Sequence, residues 1–510
     1  MKSRSTLYWL LCGFIIAASA CSHKLDLSPV SSISDNNYWQ TPEQVDAFVA
    51  GVHIAFRNNT SAFQYLGEMR ADIFGTDPGS SSAFTGEATQ GVERLWTNTL
   101  DMDNAGVNNF GNFYFNINQI NLLIEKLNSI NMVSDATRQY YLGVAYGMRA
   151  YYYFHLYRSW GDVIIQTTPT SSIDISALAK PASSADSVMQ LIKSDIEHSL
   201  SSYGNDYSFK NQKSYWSKPA TLMLKAEVYL WTSYRGGGSA DATAALNVLN
   251  EIQTNVPSLR LLPDFSNVFA SGNKGNDEMI FVIRNQLNES TLPFASTFFA
   301  QTSNLSNFYD STENRKFSVT TDNWGGLLRA PVEIASFRRF KDSDSRKRAS
   351  IQPGYTRVNN NYQIAGAFVS KFKGEQNAGV RAYTNDYPIY RYADLLLLKA
   401  EAKIMLGQDP ANEINLVRQR AYGAGYVPVV NGYPNQPVDS NPLEAILMER
   451  YLEFIFEGKR WYDLRRAGDN YVFKYTNILP SESYKLLWPI DRNTLTNNTA
   501  LRQTPGYPVF

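Results

Sequence analysis

Residues 443–468 read LEAILMERYLEFIFEGKRWYDLRRAG, with apolar and charged residues closely interleaved. Pro442 precedes it, at the first helical position, where the missing N–H of proline costs nothing. The apolar residues do not keep to one stripe, because Leu443 lies on one side of a helical wheel and Met448 on another. A helix that is apolar on most of its faces is buried by neighbours on several sides. The pattern therefore predicts a central helix that ends near Gly458.

The same helix carries three acidic residues at four-residue spacing, Glu449, Glu453 and Glu457. Residues four apart share one helical face, so their like charges repel each other. Inside a protein such carboxylates need cationic partners. We expect the nearest basic residues, Arg450 and Arg460, to supply them. Internal ion pairs are favoured here over a catalytic role.

The composition narrows the class of protein. The 47 basic and 47 acidic residues cancel, so charge gives no support for a nucleic-acid partner. Aromatic residues make up 13% of the chain, with 32 Tyr, 27 Phe and 9 Trp. This content suits stacking on flat, partly apolar ligands such as sugars, although a tyrosine-rich core explains any single ring equally well.

The N-terminus has the pattern of an export signal. Lys2 and Arg4 precede an apolar run, residues 7–18, that is too short to span a bilayer. Small residues then lead to Cys21, as in a lipobox, where cleavage leaves the cysteine as a lipidated N-terminus. We predict a signal peptide over residues 1–20, with ordinary signal-peptidase cleavage as the alternative, and a tether over residues 21–40. No later stretch is long and apolar enough to span a bilayer, so we expect a soluble body on a lipid anchor.

Helical periods recur along the body of the chain. Leu224-Lys225-Ala226-Glu227 is repeated as Leu398-Lys399-Ala400-Glu401, and a small alanine midway along a helix lets a neighbour approach closely. Helix-turn-helix units of about 34 residues with such a position are typical of tetratricopeptide repeats. The predicted helix pairs cover residues 112–159, 185–234, 241–254 with 390–407, and 410–457.

The third pair is interrupted by residues 255–389, which lack a helical period. A segment of this length is either disordered or functional, and its many aromatic residues argue against disorder. Short strands are expected near Val282 and Phe368. We therefore predict a mainly α fold over residues 41–510, a single unit in which a tetratricopeptide-like array of helical hairpins carries a large, loop-rich lobe with short strands.

Several motifs together resemble the SusD/RagB family of nutrient-binding lipoproteins. The matching segments are Cys21, YRSWGDV at 157–163, YPIYRYADLLL at 387–397, EGKR at 457–460, DLRRAG at 463–468 and PGY at 505–507. The resemblance implies a lipid-anchored protein of the outer membrane, facing outward. It also implies a helical half that docks a SusC-like TonB-dependent transporter and an irregular half that captures an oligosaccharide.

Candidate ligand contacts come from loops, where aromatic and acidic residues without helical period are better site candidates than those on helices. Some starch-binding members of the family place a Trp and an Asn of an N-terminal loop opposite a Tyr and a Trp of the middle insertion. By this resemblance the predicted site residues are Trp96, Asn98, Tyr309 and Trp324, with Asp72 and Asp77 as further candidates. Trp324 precedes two glycines, so we expect its ring to be exposed.

The sequence offers no support for catalysis, a metal or a cofactor. The four histidines lack the HExxH spacing, and no Walker loop or Gly-x-Ser-x-Gly elbow is present. The acidic pairs Asp101–Asp103 and Asp342–Asp344 are weak hints of a calcium site, and solvated turns explain them better. We expect a non-catalytic oligosaccharide-binding protein. The alternatives are a surface polysaccharide hydrolase, a peptide-binding member of the same family, and a tetratricopeptide scaffold that binds only proteins.

Overall fold

Helices surround an aromatic core in the computed structural model, which describes residues 38–75, 90–107, 110–170 and 179–509. The predicted signal peptide, Cys21, most of the tether and Asp77 lie outside the described residues. The helices of the first half of the chain are α1 (Pro42–Arg57), α2 (Thr60–Glu68), α3 (Glu93–Trp96), α4 (Phe110–Ser129), α5 (Asp135–Trp160), α6 (Ala185–Tyr203), α7 (Lys218–Thr232) and α8 (Gly238–Asn255).

Side-chain caps fix where several of these helices begin. Thr41 caps α1, with Pro42 behind it and Gln44 completing a capping box. Ser134, Ser184 and Ser217 accept the backbone N–H three residues later at the starts of α5, α6 and α7. Polar residues at these positions were therefore a sequence signal for the helix starts.

The lobe between α8 and the later helices contains short elements. Its helices are α9 (Phe265–Val268), α10 (Ala295–Phe298), α11 (Thr302–Leu305), α12 (Ile334–Arg338) and α13 (Arg346–Ser350). Its strands are β1 (Met279–Ile283), β2 (Tyr309–Asp310), β3 (Arg315–Lys316), β4 (Ile351–Val358), β5 (Asn361–Val369), β6 (Glu375–Asn377), β7 (Val380–Ala382) and β8 (Tyr387–Arg391). The antiparallel pair β1–β8 joins the start of the lobe to its end.

The largest sheet of the lobe has the strand order β3-β2-β4-β5. Strands β4 and β5 form a long hairpin whose turn is Asn359-Asn360, with positive φ angles of 49° and 63°. Two asparagines in this conformation make the turn whose twist suits a two-residue hairpin. The smaller hairpin β6–β7 follows it in the chain.

The later helices are α14 (Tyr392–Met405), α15 (Ala411–Tyr422), α16 (Pro428–Asn431), α17 (Pro442–Phe454), α18 (Arg460–Ala467), α19 (Asp469–Tyr475) and α20 (Arg492–Asn497). Helix α14 packs on α8, across the lobe, and also on α15 and α17. Ala226 and Ala400, the small residues of the repeated LKAE motif, are fully buried. The prediction of a mainly α, tetratricopeptide-like fold with few short strands is confirmed.

Much of the aromatic content builds this core. Helix α5 carries four consecutive buried rings, Tyr151, Tyr152, Tyr153 and Phe154. The rings of Phe56 and Phe63 pack against this run at centroid distances of 5.3 to 6.0 Å. A tyrosine-rich core, the alternative explanation for the aromatic composition, is therefore present. Composition alone does not locate a binding surface.

The central helix ends earlier than the sequence predicts, at Phe454 rather than near Gly458. The carboxylate of Glu68 accepts the backbone N–H groups of Phe456 and Gly458 at 2.7 and 2.9 Å, and both residues have φ near 70°. The turn also approaches α2 closely, because a Cβ atom on Gly67 would lie 1.7 Å from the carbonyl oxygen of Gly458. Distant residues therefore stop the helix.

The partners of the three glutamates also differ from the prediction. Arg450 pairs instead with Asp394 and Asp463, and Arg460 pairs with Asp72. The cations that neutralise Glu449, Glu453 and Glu457 come from distant elements. They are Arg346, Lys371, Arg391, Arg418 and Arg420, and we call these eight residues the charge network.

Glu453 lies at the centre of the charge network. It contacts Arg391 at 2.5 Å, Arg346 at 3.1 Å and Arg420, and all four side chains are almost completely buried. Burial alone would raise the pKa of Glu453, but the three guanidinium groups hold it far below its ordinary value. The expectation that the acidic face is neutralised inside the protein therefore agrees with the structure, with different cations.

Candidate functional site

Trp324 is buried, so the expectation of an exposed ring is wrong. Its residual exposure is 6%, and its ring lies against Phe368 and Phe299 at 5.0 and 5.8 Å. Arg381 of strand β7 lies over the same ring, with its guanidinium carbon 4.7 Å from the centroid. The neighbouring glycines gave a misleading signal, because the β6–β7 hairpin contributes the side chain that covers the indole.

Asn98 and Trp96 lie in different surroundings from Trp324. Asn98 is 2% exposed, accepts a hydrogen bond from Arg70 Nε at 2.7 Å and donates to Asn477 at 2.8 Å. Trp96 is half-buried and packs against the core. The contacts of Asn98 lead to the C-terminal part of the chain, whereas those of Trp324 stay in the lobe. These contacts do not place Trp96 and Asn98 in one site with Trp324.

Asp72 takes part in an ion-pair cluster. Its carboxylate contacts Arg460 at 2.8 Å and Arg339 at 2.6 Å, and the side chain is 6% exposed. Burial would raise the pKa of Asp72, but the two guanidinium groups hold it below its ordinary value. This arrangement ties the segment after α2 to the lobe and to α18, so the carboxylate already has its partners.

The acidic pairs weighed as calcium hints also have protein partners. Asp101 accepts the backbone N–H groups of Asp103 and Asn104, as in a turn cap. Asp103 pairs with Arg492 at 2.5 Å. In the other pair, Asp342 binds Lys347 at 2.6 Å, and Asp344 binds Arg346 at 2.8 Å. In the part of the chain that the structure describes, no group of three or more metal-ligating side chains is found.

Tyr309 lies on a half-buried face of the four-stranded sheet. Antiparallel register pairs Tyr309 with Lys316 and with Tyr355, and pairs Arg357 with Tyr362. Directly paired residues share a face, as do residues two apart on one strand. Register therefore places these five side chains on one face, which we call the tyrosine face.

The rings of the tyrosine face form a continuous row. Centroids lie 5.9 Å apart for Tyr309 and Tyr362, and 6.0 Å apart for Tyr355 and Tyr362. All three side chains are partly exposed, whereas Lys316 and Arg357 are exposed. The hydroxyl of Tyr362 donates to Asn314, and Arg348 of α13 donates to the hydroxyl of Tyr355 at 3.4 Å. The row therefore offers aromatic area to solvent, while two of its hydroxyl groups are held by neighbouring side chains.

A second concave region lies between α1 and β1. It is a cavity of about 290 Å³, lined among others by His53, Tyr215 and Phe281. The ring of Tyr215 stacks on His53 at 4.2 Å. His53 contacts the carbonyl of Val49 at 2.8 Å and accepts the backbone N–H of Trp216 at 3.0 Å, and burial lowers its pKa to about 4. A neutral histidine with both nitrogens engaged joins α1 to the loop before α7.

Sequence reasoning named Tyr309 as a candidate but did not name Tyr355 and Tyr362, which lie beside it on the tyrosine face. A signal for them was present, because residues 355–358, which include Tyr, Thr and Val, and the alternating run 361–364 flank Asn359-Asn360. Such a dipeptide between two strand-forming runs is typical of a hairpin turn. Reading this hairpin would have placed both tyrosines on one face of one sheet.

A helical-repeat array that carries a lobe with a partly exposed aromatic face defines a class of ligand-binding scaffold. Comparison with known proteins identifies the family within that class. The model of the SusD family matches residues 201–507, and a model described as starch-binding and associating with the outer membrane matches residues 25–230. The chain belongs to the SusD family, as its motifs indicated.

Relatives and solved structures extend along almost the whole chain. The SusD-like protein P38 of Formosa agariphila is 29% identical over 513 residues, which cover 96% of each chain. The structure of B. fragilis NanU matches with a TM-score of 0.87 at 45% identity, covering 95% of this chain and all of that one. A SusD superfamily protein from Bacteroides vulgatus matches with a TM-score of 0.85 at 40% identity, covering 92% of this chain and all of that one.

Among the helices of the described ranges, none is both long enough and apolar enough to cross a bilayer.

Proposed function

We propose that this chain is a non-catalytic binding protein of the outer membrane that holds an oligosaccharide on the tyrosine face. The family model described as starch-binding and associating with the outer membrane supports both the ligand class and the location. The starch-binding protein SusD of Bacteroides thetaiotaomicron, 30% identical over 130 residues that cover 24% of this chain and 22% of that one, supports the same ligand class.

The observation that carries the proposal is the row of three partly exposed tyrosine rings on one sheet face. The C–H face of a sugar stacks on a phenol ring, and aromatic contacts contribute about 0.5–1.5 kcal/mol per ring beyond the buried area. Adjacent rings about 6 Å apart would contact successive sugar units of a chain. The tyrosine face thus suits an extended oligosaccharide better than a single sugar.

Delivery of the ligand to a SusC-like TonB-dependent transporter and anchoring through lipidated Cys21 complete the proposal. The export pattern at residues 1–20 and the family resemblance support both. We expect the Cys21→Ala variant to be lost from the membrane fraction, because a chain without acyl groups at residue 21 lacks the lipid anchor. Retention of that variant in the membrane fraction would contradict the lipid anchor, and co-purification of a barrel transporter with the native protein tests the partner.

Binding to the tyrosine face is tested by titrating a panel of oligosaccharides into the purified mature chain. Tyr355→Ala and Tyr362→Ala should each weaken binding of the best ligand by about two- to tenfold, from the loss of one stacking ring. Tyr146→Ala is the matched control, because Tyr146 is also a partly exposed stacked ring but lies on α5 against His198. Equal effects of all three variants, or turnover of the ligand by the native chain, would refute the proposal.

A further inference from the structure

The register of the four-stranded sheet separates its charges between two faces. Lys316 and Arg357 lie on the tyrosine face, because they pair with Tyr309 and Tyr362. Asp310, paired with Arg315, lies on the opposite face, where it accepts a hydrogen bond from Gln352. The strand residues of the tyrosine face therefore contribute two cations and no carboxylate.

Three cations lie beside the three rings of the tyrosine face. Lys316 Nζ lies 5.6 Å from the centroid of Tyr309, and the guanidinium carbon of Arg357 lies 5.7 Å from that of Tyr362. Arg348, which reaches in from α13, has its guanidinium carbon 5.9 Å from the ring of Tyr355. Each ring of the row thus has its own cation.

The carboxylates around these positive charges are engaged by other cations; Asp342, which lies within electrostatic range of Arg348, is bound by Lys347 at 2.6 Å. Within residues 38–75, 90–107, 110–170 and 179–509, none of the three forms an ion pair, and the buried Nη1 of Arg348 has no hydrogen-bond partner. The nearby carboxylates Glu313 and Asp322 are already held by Arg315, at 2.5 and 2.6 Å. Like charges on one face repel each other, and a bound anion would relieve that repulsion.

We infer that the tyrosine face binds an acidic oligosaccharide, whose carboxylate or sulfate groups contact Lys316, Arg348 and Arg357 while its sugar rings stack on the tyrosines. This inference rests on the proposed oligosaccharide binding and names the ligand class for the same site. A neutral glycan would use the rings and the hydroxyl groups but would give the three cations no anionic partner. Guanidinium groups also match carboxylate and sulfate geometry through paired N–H donors.

The first experiment screens the purified mature chain against immobilised neutral, carboxylated and sulfated oligosaccharides. We expect the strongest signals from acidic members, and the carboxylated and sulfated arms show which anion is bound. Binding of the best acidic ligand, then measured in solution, should weaken steeply between low and high salt concentration, because exposed charge contacts are screened. A preference for neutral members would overturn the inference and leave the proposed function standing, whereas the absence of any signal would refute both.

The second experiment compares charge and ring variants on that best acidic ligand. The double variant with Lys316→Gln and Arg357→Gln should bind the ligand about tenfold more weakly, because hydrogen bonds to charged groups are lost. Its affinity should also depend less on the salt concentration. Arg260→Gln is the control, since Arg260 is 73% exposed in its side chain and lies outside the tyrosine face. Unchanged affinity in the double variant, together with a loss in Tyr355→Ala, would show stacking without charge recognition and overturn the inference.

Discussion

The charge network around α17 and the tyrosine face both contain several cations, yet these cations differ in their burial and in their partners. In the network, Arg391 and Arg346 are fully buried and meet glutamates at 2.5 to 3.1 Å. On the tyrosine face, Lys316 and Arg357 are exposed and meet rings rather than carboxylates. A cation whose partner is already in the chain holds the fold, and one without a partner is available to a ligand.

Two aromatic side chains of the lobe differ in burial in the same way as the cations do. Trp324 has its neighbours within the protein, from Phe368 beneath it to Arg381 above. Tyr362 contacts its two neighbouring tyrosines and remains partly exposed. Residue type alone does not distinguish the two, because a tryptophan in a loop looked the better candidate and proved to be the buried one.

The largest effect is expected where the charge network loses its centre. Glu453→Ala would leave three buried guanidinium groups with fewer partners, and breaking one buried pair costs about 3–5 kcal/mol. We expect a loss of unfolding free energy at or above the upper end of that range, measured by chemical denaturation. The matched control is Glu444→Ala on the same helix. Glu444 pairs with Lys474, and the two side chains are 30% and 51% exposed, so this pair should contribute about 0–1 kcal/mol. A Glu453→Ala chain as stable as this control would contradict the structural role of the network.

The sequence predicted the helical array well, because its signals are local. Proline at a first helical position, the helical period of the apolar residues and the small alanines of the LKAE motifs all act within one helix or between adjacent helices. The end of α17 was predicted four residues too late, since Glu68, far away in the chain, binds the N–H groups that a longer helix would have used. Local signals do not report such distant contacts.

The candidate site was harder to predict for the same reason. The charge partners of Glu453 lie 33 to 107 residues away, so proximity in sequence selected the wrong arginines. The burial of Trp324 depends on Arg381, which a second hairpin supplies. By contrast, the tyrosine face follows from a hairpin turn and strand alternation, and it could have been predicted by treating Asn359-Asn360 as a turn. Whether Trp96, Asn98, Tyr309, Trp324, Asp72 and Asp77 contact a ligand stays a prediction.

A smaller effect on stability is expected from Trp324→Ala, and it tests the contrast between the two kinds of ring. Truncating a buried tryptophan costs about 3–5 kcal/mol, and we expect the lower end, because Trp324 lies near the surface of the core under a single hairpin. Thermal unfolding measures that loss, while titration of the folded variant should show oligosaccharide affinity within about twofold of the native value. Tyr355→Ala should give the opposite result, with nearly native stability and weakened binding, because its ring is partly exposed. If Trp324→Ala instead lost affinity at unchanged stability, the indole would belong to the binding surface. Burial in the free chain would then no longer distinguish the rings that stabilise the fold from those that bind the ligand.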